Sequence, residues 1–156
     1  MFLKFVLVFL ISMVPIVELR GAVPIGIGMG LPEWAVLIIA LFGNLIPVPF
    51  IFSFVHRLLE WGTTWKWKKA QKFCNWCLKK GEKGGKKLQK KAGDNIYLAL
   101  ALFVGIPVPG TGAWTGTLAA SMLNLDRRKT VVAVATGLVL AGLIMSILSL
   151  GLFKLI

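Results

Sequence analysis

Apolar residues run through most of the 156-residue chain in long blocks, and the charged positions are gathered between the blocks rather than interleaved with them. Two blocks carry no charge at all, Trp34 to Val55 and Thr130 to Phe153. About 20 helical residues cross a hydrocarbon core roughly 30 Å thick, so each block predicts a transmembrane helix. Gly43-Asn44 with Pro47 and Pro49 predicts a kink in the first of them.

The other apolar blocks are broken near their centres. Asn95 to Leu125 is uncharged, but as one helix at about 1.5 Å per residue it would measure roughly 46 Å, too long for one untilted crossing. Its middle reads GIPVPGTG, whose prolines and glycines predict two half-helices, Ile96 to Val104 and Thr111 to Leu123. The N-terminal block follows the same plan: Phe5 to Val14 as one half, PIVELRGAVP as the break, and Ile25 to Leu31 within the second half. This block also has a feature of a secretory signal peptide, since Lys4 precedes an apolar run. Against that reading, apolar character resumes directly after Arg20 and AVPIGIGMG offers no small-x-small cleavage site.

The pattern predicts an all-α integral membrane protein made of an inverted repeat, each unit a re-entrant helical hairpin plus one transmembrane helix. Repeat 1 covers residues 1–56 (hairpin 1–32, helix 33–56) and repeat 2 covers 94–156 (hairpin 94–125, helix 129–154), with a basic amphipathic linker at 57–93. A shift of 91 positions aligns Val17, Gly21 and Ala22 with Val108, Gly112 and Ala113.

Composition supports lipid as the solvent: 57% of residues are hydrophobic and mean hydropathy is +0.81, too much apolar surface for one soluble core of this size. The net charge of +12 is concentrated between Arg57 and Lys91 and at Arg127, Arg128 and Lys129. Clustered Lys and Arg mark cytoplasmic segments. The linker therefore faces the cytoplasm of a bacterial or archaeal plasma membrane, and the two hairpins enter from opposite sides. Inverted repeats with broken helices are a recurrent transporter plan.

Glu18 and Arg20 are the sharpest chemical feature, because ionisable residues between apolar half-helices cost at least a few kcal/mol unless paired, hydrated or used. Arg20 could hold a phosphate or carboxylate and Glu18 could exchange a proton; equally, both could pair with each other or with backbone carbonyls to lock the turn. The candidate substrate or ion site comprises Glu18, Arg20, Gly21 and Pro24 of the first tip with Pro107, Pro109, Gly110, Thr111 and Gly112 of the second. Half-helix N-termini near Gly21 and Thr111 would favour an anion there, and a tight packed turn is the plainer alternative.

From Trp67 to Leu78 an apolar face alternates with a lysine face, predicting a helix on the membrane surface anchored by Trp67, Lys68, Lys69, Lys72 and Phe73. Anionic lipids are its expected partners rather than nucleic acid, and GEKGGKK beyond it reads as a mobile linker. Cys74-Asn75-Trp76-Cys77 has redox and zinc spacing but no second ligand pair, and His56, the single histidine, sits at a predicted helix end as an anchor. No metal, cofactor or enzyme activity is indicated.

VELRGAVPIGIGMGLP, a long apolar helix, a lysine-rich middle and GIPVPGTGAWTGTLAA together resemble the small multi-drug export proteins over nearly the whole chain. The motifs that carry this are ELRGAVP and P-x-PGTGAW-x-G. That family is similar to the DedA or VTT superfamily, whose paired re-entrant hairpins are thought to move lipids. The resemblance implies an inverted-repeat lipid or drug transporter, with Glu18 and Arg20 at the first hairpin's acidic and basic positions. The leading expectation is a transporter or scramblase for an amphipathic lipid with an anionic head, a polyprenyl phosphate or a phospholipid, whose head group Arg20 and the half-helix N-termini would hold. The rivals are a proton- or ion-coupled small multidrug exporter and a non-transporting membrane scaffold. So short a chain buries little surface, which predicts a homo-oligomer, a dimer.

Overall fold

The computed structural model describes residues 1–108 and 110–155, apart from the side chains of residues 55, 56, 88, 91, 94 and 153–155. The expected anchoring role of His56 therefore lies outside the described side chains. Among the described residues the chain is helical, without strands: α1 (Phe2–Met13), α2 (Glu18–Gly28), α3 (Glu33–Leu45), α4 (Pro47–Phe50), α5 (His56–Gly62), α6 (Lys68–Ala92), α7 (Ile96–Gly105), α8 (Ala113–Met122) and α9 (Arg127–Leu155). α7, α8 and α9 begin 94, 95 and 94 positions after α1, α2 and α3. The order short, short, long thus occurs twice.

Two apolar spans are long enough to cross a bilayer, Glu33–Phe54 and Arg127–Leu152. Their outer surface is apolar, with Phe42 62% and Ile147 71% exposed, which suits a lipid solvent. Where a kink was expected, Pro47 and Pro49 withhold N–H groups from the preceding turn: α3 stops at Leu45, α4 restarts at Pro47 and a π-helical turn occupies Ile51–Val55, while Ile46 and Ile51 keep helical dihedrals. Asn44, fully buried just before this irregularity, has no partner for either amide atom among the described residues.

The short helices cannot cross alone. α1 and α2 have 12 and 11 residues and α7 and α8 have 10 each, roughly 15–18 Å of helix at about 1.5 Å per residue. α1 and α2 pack on each other and on α3, while α7 packs along α9, which also meets α2 and α3. The core lies where these helices meet, with Val8, Leu19, Val23, Val36, Leu100, Val104 and Val134 almost fully buried. The α7–α9 crossing is close because Gly137 presents no side chain: a Cβ there would sit 2.8 Å from Val104 Cβ.

The first hairpin departs from expectation in its break. PIVELRGAVP was expected to be non-helical, but only Val14 to Val17 separate α1 from α2, and α2 runs through Pro24. Pro24 sits well inside the helix, where its missing N–H costs one bond, to the carbonyl of Arg20. The basic segment departs further. GEKGG lies within the continuous α6 rather than in a mobile linker, and α6 packs along α8 instead of standing apart from the bundle. Gly81 and Gly85, one turn apart, let the two helices approach: Cβ atoms there would lie 2.7 Å from Met122 Sδ and 3.2 Å from Leu123 Cγ. Gly81→Leu should therefore lift α6 from α8, seen as faster proteolysis between Lys68 and Lys87 with the two spans intact.

Candidate site at the hairpin tips

The two short-helix pairs meet through opposite charges. Glu18, the first residue of α2, adopts φ 50, a left-handed conformation that costs a non-glycine residue on the order of 1 kcal/mol or more. The residue is 5% exposed, and its carboxylate lies at the start of α8. Oε2 accepts from the Ala113 N–H at 3.3 Å and Oε1 from the Trp114 N–H at 3.2 Å. Helix N-termini leave N–H groups without intrahelical partners, and α8 has no side-chain cap of its own. A carboxylate is the complement of that positive end. Glu18 and Ala113 are the first residues of helices occupying the same place in the recurring order.

Arg20 serves the other end of the same break. After α7 stops at Gly105, its guanidinium donates to the carbonyls of Val104 at 3.1 Å, Ile106 at 3.0 Å and Val108 at 2.5 Å. The Thr111 carbonyl and, at 3.1 Å, the Thr111 hydroxyl lie within reach of the same Nη2 that faces Val104 and Ile106, so its two N–H groups are shared among four acceptors. That hydroxyl lies 3.0 Å from the Ile106 carbonyl and 2.8 Å from that of Val108, so its proton goes to one of them. The Ile106 and Val108 carbonyls also accept the N–H groups of Val108 and Thr111 within the break, so Arg20 adds a second donor there and supplies the Val104 carbonyl at the end of α7, where an unsatisfied group in an apolar medium costs several kcal/mol. A positive side chain closes the carbonyl end of α7 and a negative one closes the amide end of α8.

A cleft of about 410 Å³ lies between the tips, lined by Pro15, Ile16, Val17, Glu18, Arg20, Gly21, Pro107, Val108, Gly110, Gly112, Thr115 and Met145. Of the expected site residues, Glu18, Arg20, Gly21, Pro107, Gly110 and Gly112 line it. Thr111 reaches the site through Arg20. Pro24 lies further along α2 and is not in the lining, and Pro109 lies outside the described residues. Pro15, Ile16 and Val17 belonged to the expected break and were not singled out. Met145 comes from α9, and nothing in its own neighbourhood of the sequence points to the tips.

The expected surface anchors are elsewhere. Trp67, Lys68, Lys69, Lys72 and Phe73 are all exposed on α6 or at its start. Phe73 stacks near Trp76 with centroids 6.1 Å apart, Lys80 lies 4.6 Å over the Trp76 ring, and Trp61 meets Trp65 edge-on at 5.2 Å. Cys74 and Cys77 are free and half-buried. Burial, with Cys74 adding to it, pushes the Cys77 thiol up, disfavouring the thiolate that redox or metal chemistry requires.

A search of curated proteins and a search of solved structures each returned no match. The family model described as "putative small multi-drug export protein" matches residues 18–144, from the Glu18 cap through most of α9. The chain belongs to the small multi-drug export protein family.

Proposed function

We propose that the protein exports cationic amphiphiles across the plasma membrane, exchanging substrate and proton at Glu18 in the cleft between the hairpin tips. The observation that carries this reading is the carboxylate of Glu18, a residue 5% exposed, at a largely apolar cleft, with hydrogen bonds that come from backbone amides. The guanidinium of Arg20 is directed to carbonyls. A buried carboxylate of this kind attracts a lipophilic cation, and its protonation removes the charge that strengthens its bonds to α8. Proton exchange is thereby coupled to the contact between the two hairpins, the element that alternating access would move.

The recurring helix order supports an inverted repeat, and contact between Glu18 and Ala113, 95 positions apart, is what equivalent residues near a pseudo-two-fold axis would make. In this reading both hairpins are re-entrant, residues 57–93 face the cytoplasm, the exposed Trp and Lys residues of α6 meet anionic lipid, and the working unit is a homodimer.

A second reading, transport of an anionic-headed lipid, is favoured by Arg20, which is half-buried and lines the same cleft. The head group would have to take Arg20 from its carbonyl partners. Proteoliposomes under an imposed pH gradient separate the two, comparing wild type with Glu18→Gln and Arg20→Lys after checking that each variant is monodisperse. Gradient-driven efflux of a fluorescent cation should fall by about tenfold or more in Glu18→Gln. Unchanged efflux in that variant would sink the exporter mechanism, and flipping of labelled lipid phosphate without cation efflux would install the second reading.

A further inference from the structure

A second cleft, of about 420 Å³, lies where the end of the first span faces the α8–α9 turn. Arg57 of α5 and Arg127, the first residue of α9, both line it, together with Ser53, Asn124 and the apolar Phe52 and Leu125. Among the described residues neither guanidinium has an ion-pair partner. Asp126, just before α9, does not line the cleft, and its carboxylate accepts the Lys129 N–H of the first turn of α9 at 2.9 Å. Asn124 adopts φ 51, a conformation glycine would take without strain, and an asparagine there places a carboxamide in the lining. The walls are built from both halves of the chain and pinned together by the Ser121 hydroxyl, which donates to the Phe52 carbonyl at 2.8 Å.

We propose that this cleft binds a phosphate group carried by an anionic amphiphile, held between Arg57 and Arg127 with Phe52 and Leu125 against its apolar portion. Two exposed guanidiniums lining one cleft whose wall carries no carboxylate offer an anion donors from two sides, and the planar fork of arginine matches phosphate oxygens. The site is separate from the tips and does not depend on what is exported there.

The test is binding by the full chain. Wild type, Arg57→Gln/Arg127→Gln, Asn124→Gly and Lys68→Gln/Lys69→Gln/Lys72→Gln would be titrated in nanodiscs with short-chain phosphatidylglycerol and, separately, in detergent with inorganic phosphate. Phosphatidylglycerol affinity should fall about tenfold or more in the double arginine variant and stay near wild type in the triple lysine variant. Asn124→Gly keeps the turn and guards against misfolding, and should weaken binding by a smaller factor. Saturable phosphate binding lost in the same arginine variant would show that the group alone is recognised; binding confined to the lipid would show that the apolar wall is needed. Either pattern supports the site. Wild-type affinity in the double arginine variant, or an equal loss in the lysine variant, overturns it. Export measured on the same proteins keeps failure of this site distinct from failure of the exporter reading.

Discussion

Arg20→Ala is expected to lower the unfolding midpoint in detergent further than truncating any other side chain of the first hairpin. The arginine reaches the carbonyls of Val104, Ile106, Val108 and Thr111, the first, second and fourth of them sharing the two N–H groups of Nη2. Removing one partner of buried polar groups exposes their full desolvation cost, about 1–3 kcal/mol each. The Ile106 and Val108 carbonyls keep the N–H groups of Val108 and Thr111, and water can reach the part of the break that borders the cleft, so the net loss should be about 2–4 kcal/mol rather than the full sum. Arg20→Lys should recover part of it, because an ammonium offers three donors but not the planar fork that spans the turn. An Arg20→Ala midpoint within a degree of wild type would mean that the break is satisfied without hairpin 1, and would remove the basis for coupling the two hairpins.

The second large effect belongs to Gly112. Its backbone, φ −117 and ψ −175, is extended and open to any residue, so Gly112→Ala should be harmless on conformational grounds. A Cβ there would nonetheless overlap the Glu18 carboxylate. The carboxylate must then leave the Ala113 and Trp114 amides, at an expected cost of about 2–4 kcal/mol. Gly110 is the reverse case, with φ +86 and only Lys80 Nζ within reach, at 3.9 Å; Gly110→Ala should cost only the strain of a left-handed residue, about 1–2 kcal/mol. A double-mutant cycle isolates the cause. With Glu18→Ala already in place, Gly112→Ala should become nearly neutral, and strictly additive losses would rule out the collision.

The spans were legible because freedom from charge over a bilayer's thickness is a local property. Trp34 to Val55 and Thr130 to Phe153 became Glu33–Phe54 and Arg127–Leu152. The second break was equally plain, since two prolines among three glycines leave no helical alternative. The first break was drawn too wide because Glu18 and Arg20 look like interruptions when read in line; their partners lie 84 to 96 positions away, so α2 carries both without breaking. Sequence says that such charges need partners, not which ones. GEKGG was misread for a related reason. Glycines weaken an isolated helix by about 1 kcal/mol each, but Gly81 and Gly85 are what lets α6 dock on α8, and docking offsets the weakness. The repeat spacing seen in residue identities was 91, whereas the helices recur at 94 and 95. Met145 joined the tips only through the path of α9 across the bundle.

The crossed caps also constrain how the protein is made. Glu18 and Arg20, which close the two ends of the second break, leave the ribosome first, so if hairpin 1 enters the bilayer as proposed, these two charges have only each other there until the second break arrives. The later half, for its part, supplies neither of these two charged side chains to its own break. When two chains insert side by side, the hairpin 1 of one presents the same donors and acceptors to the hairpin 2 of the other, and a swapped dimer would satisfy every group that the monomer does.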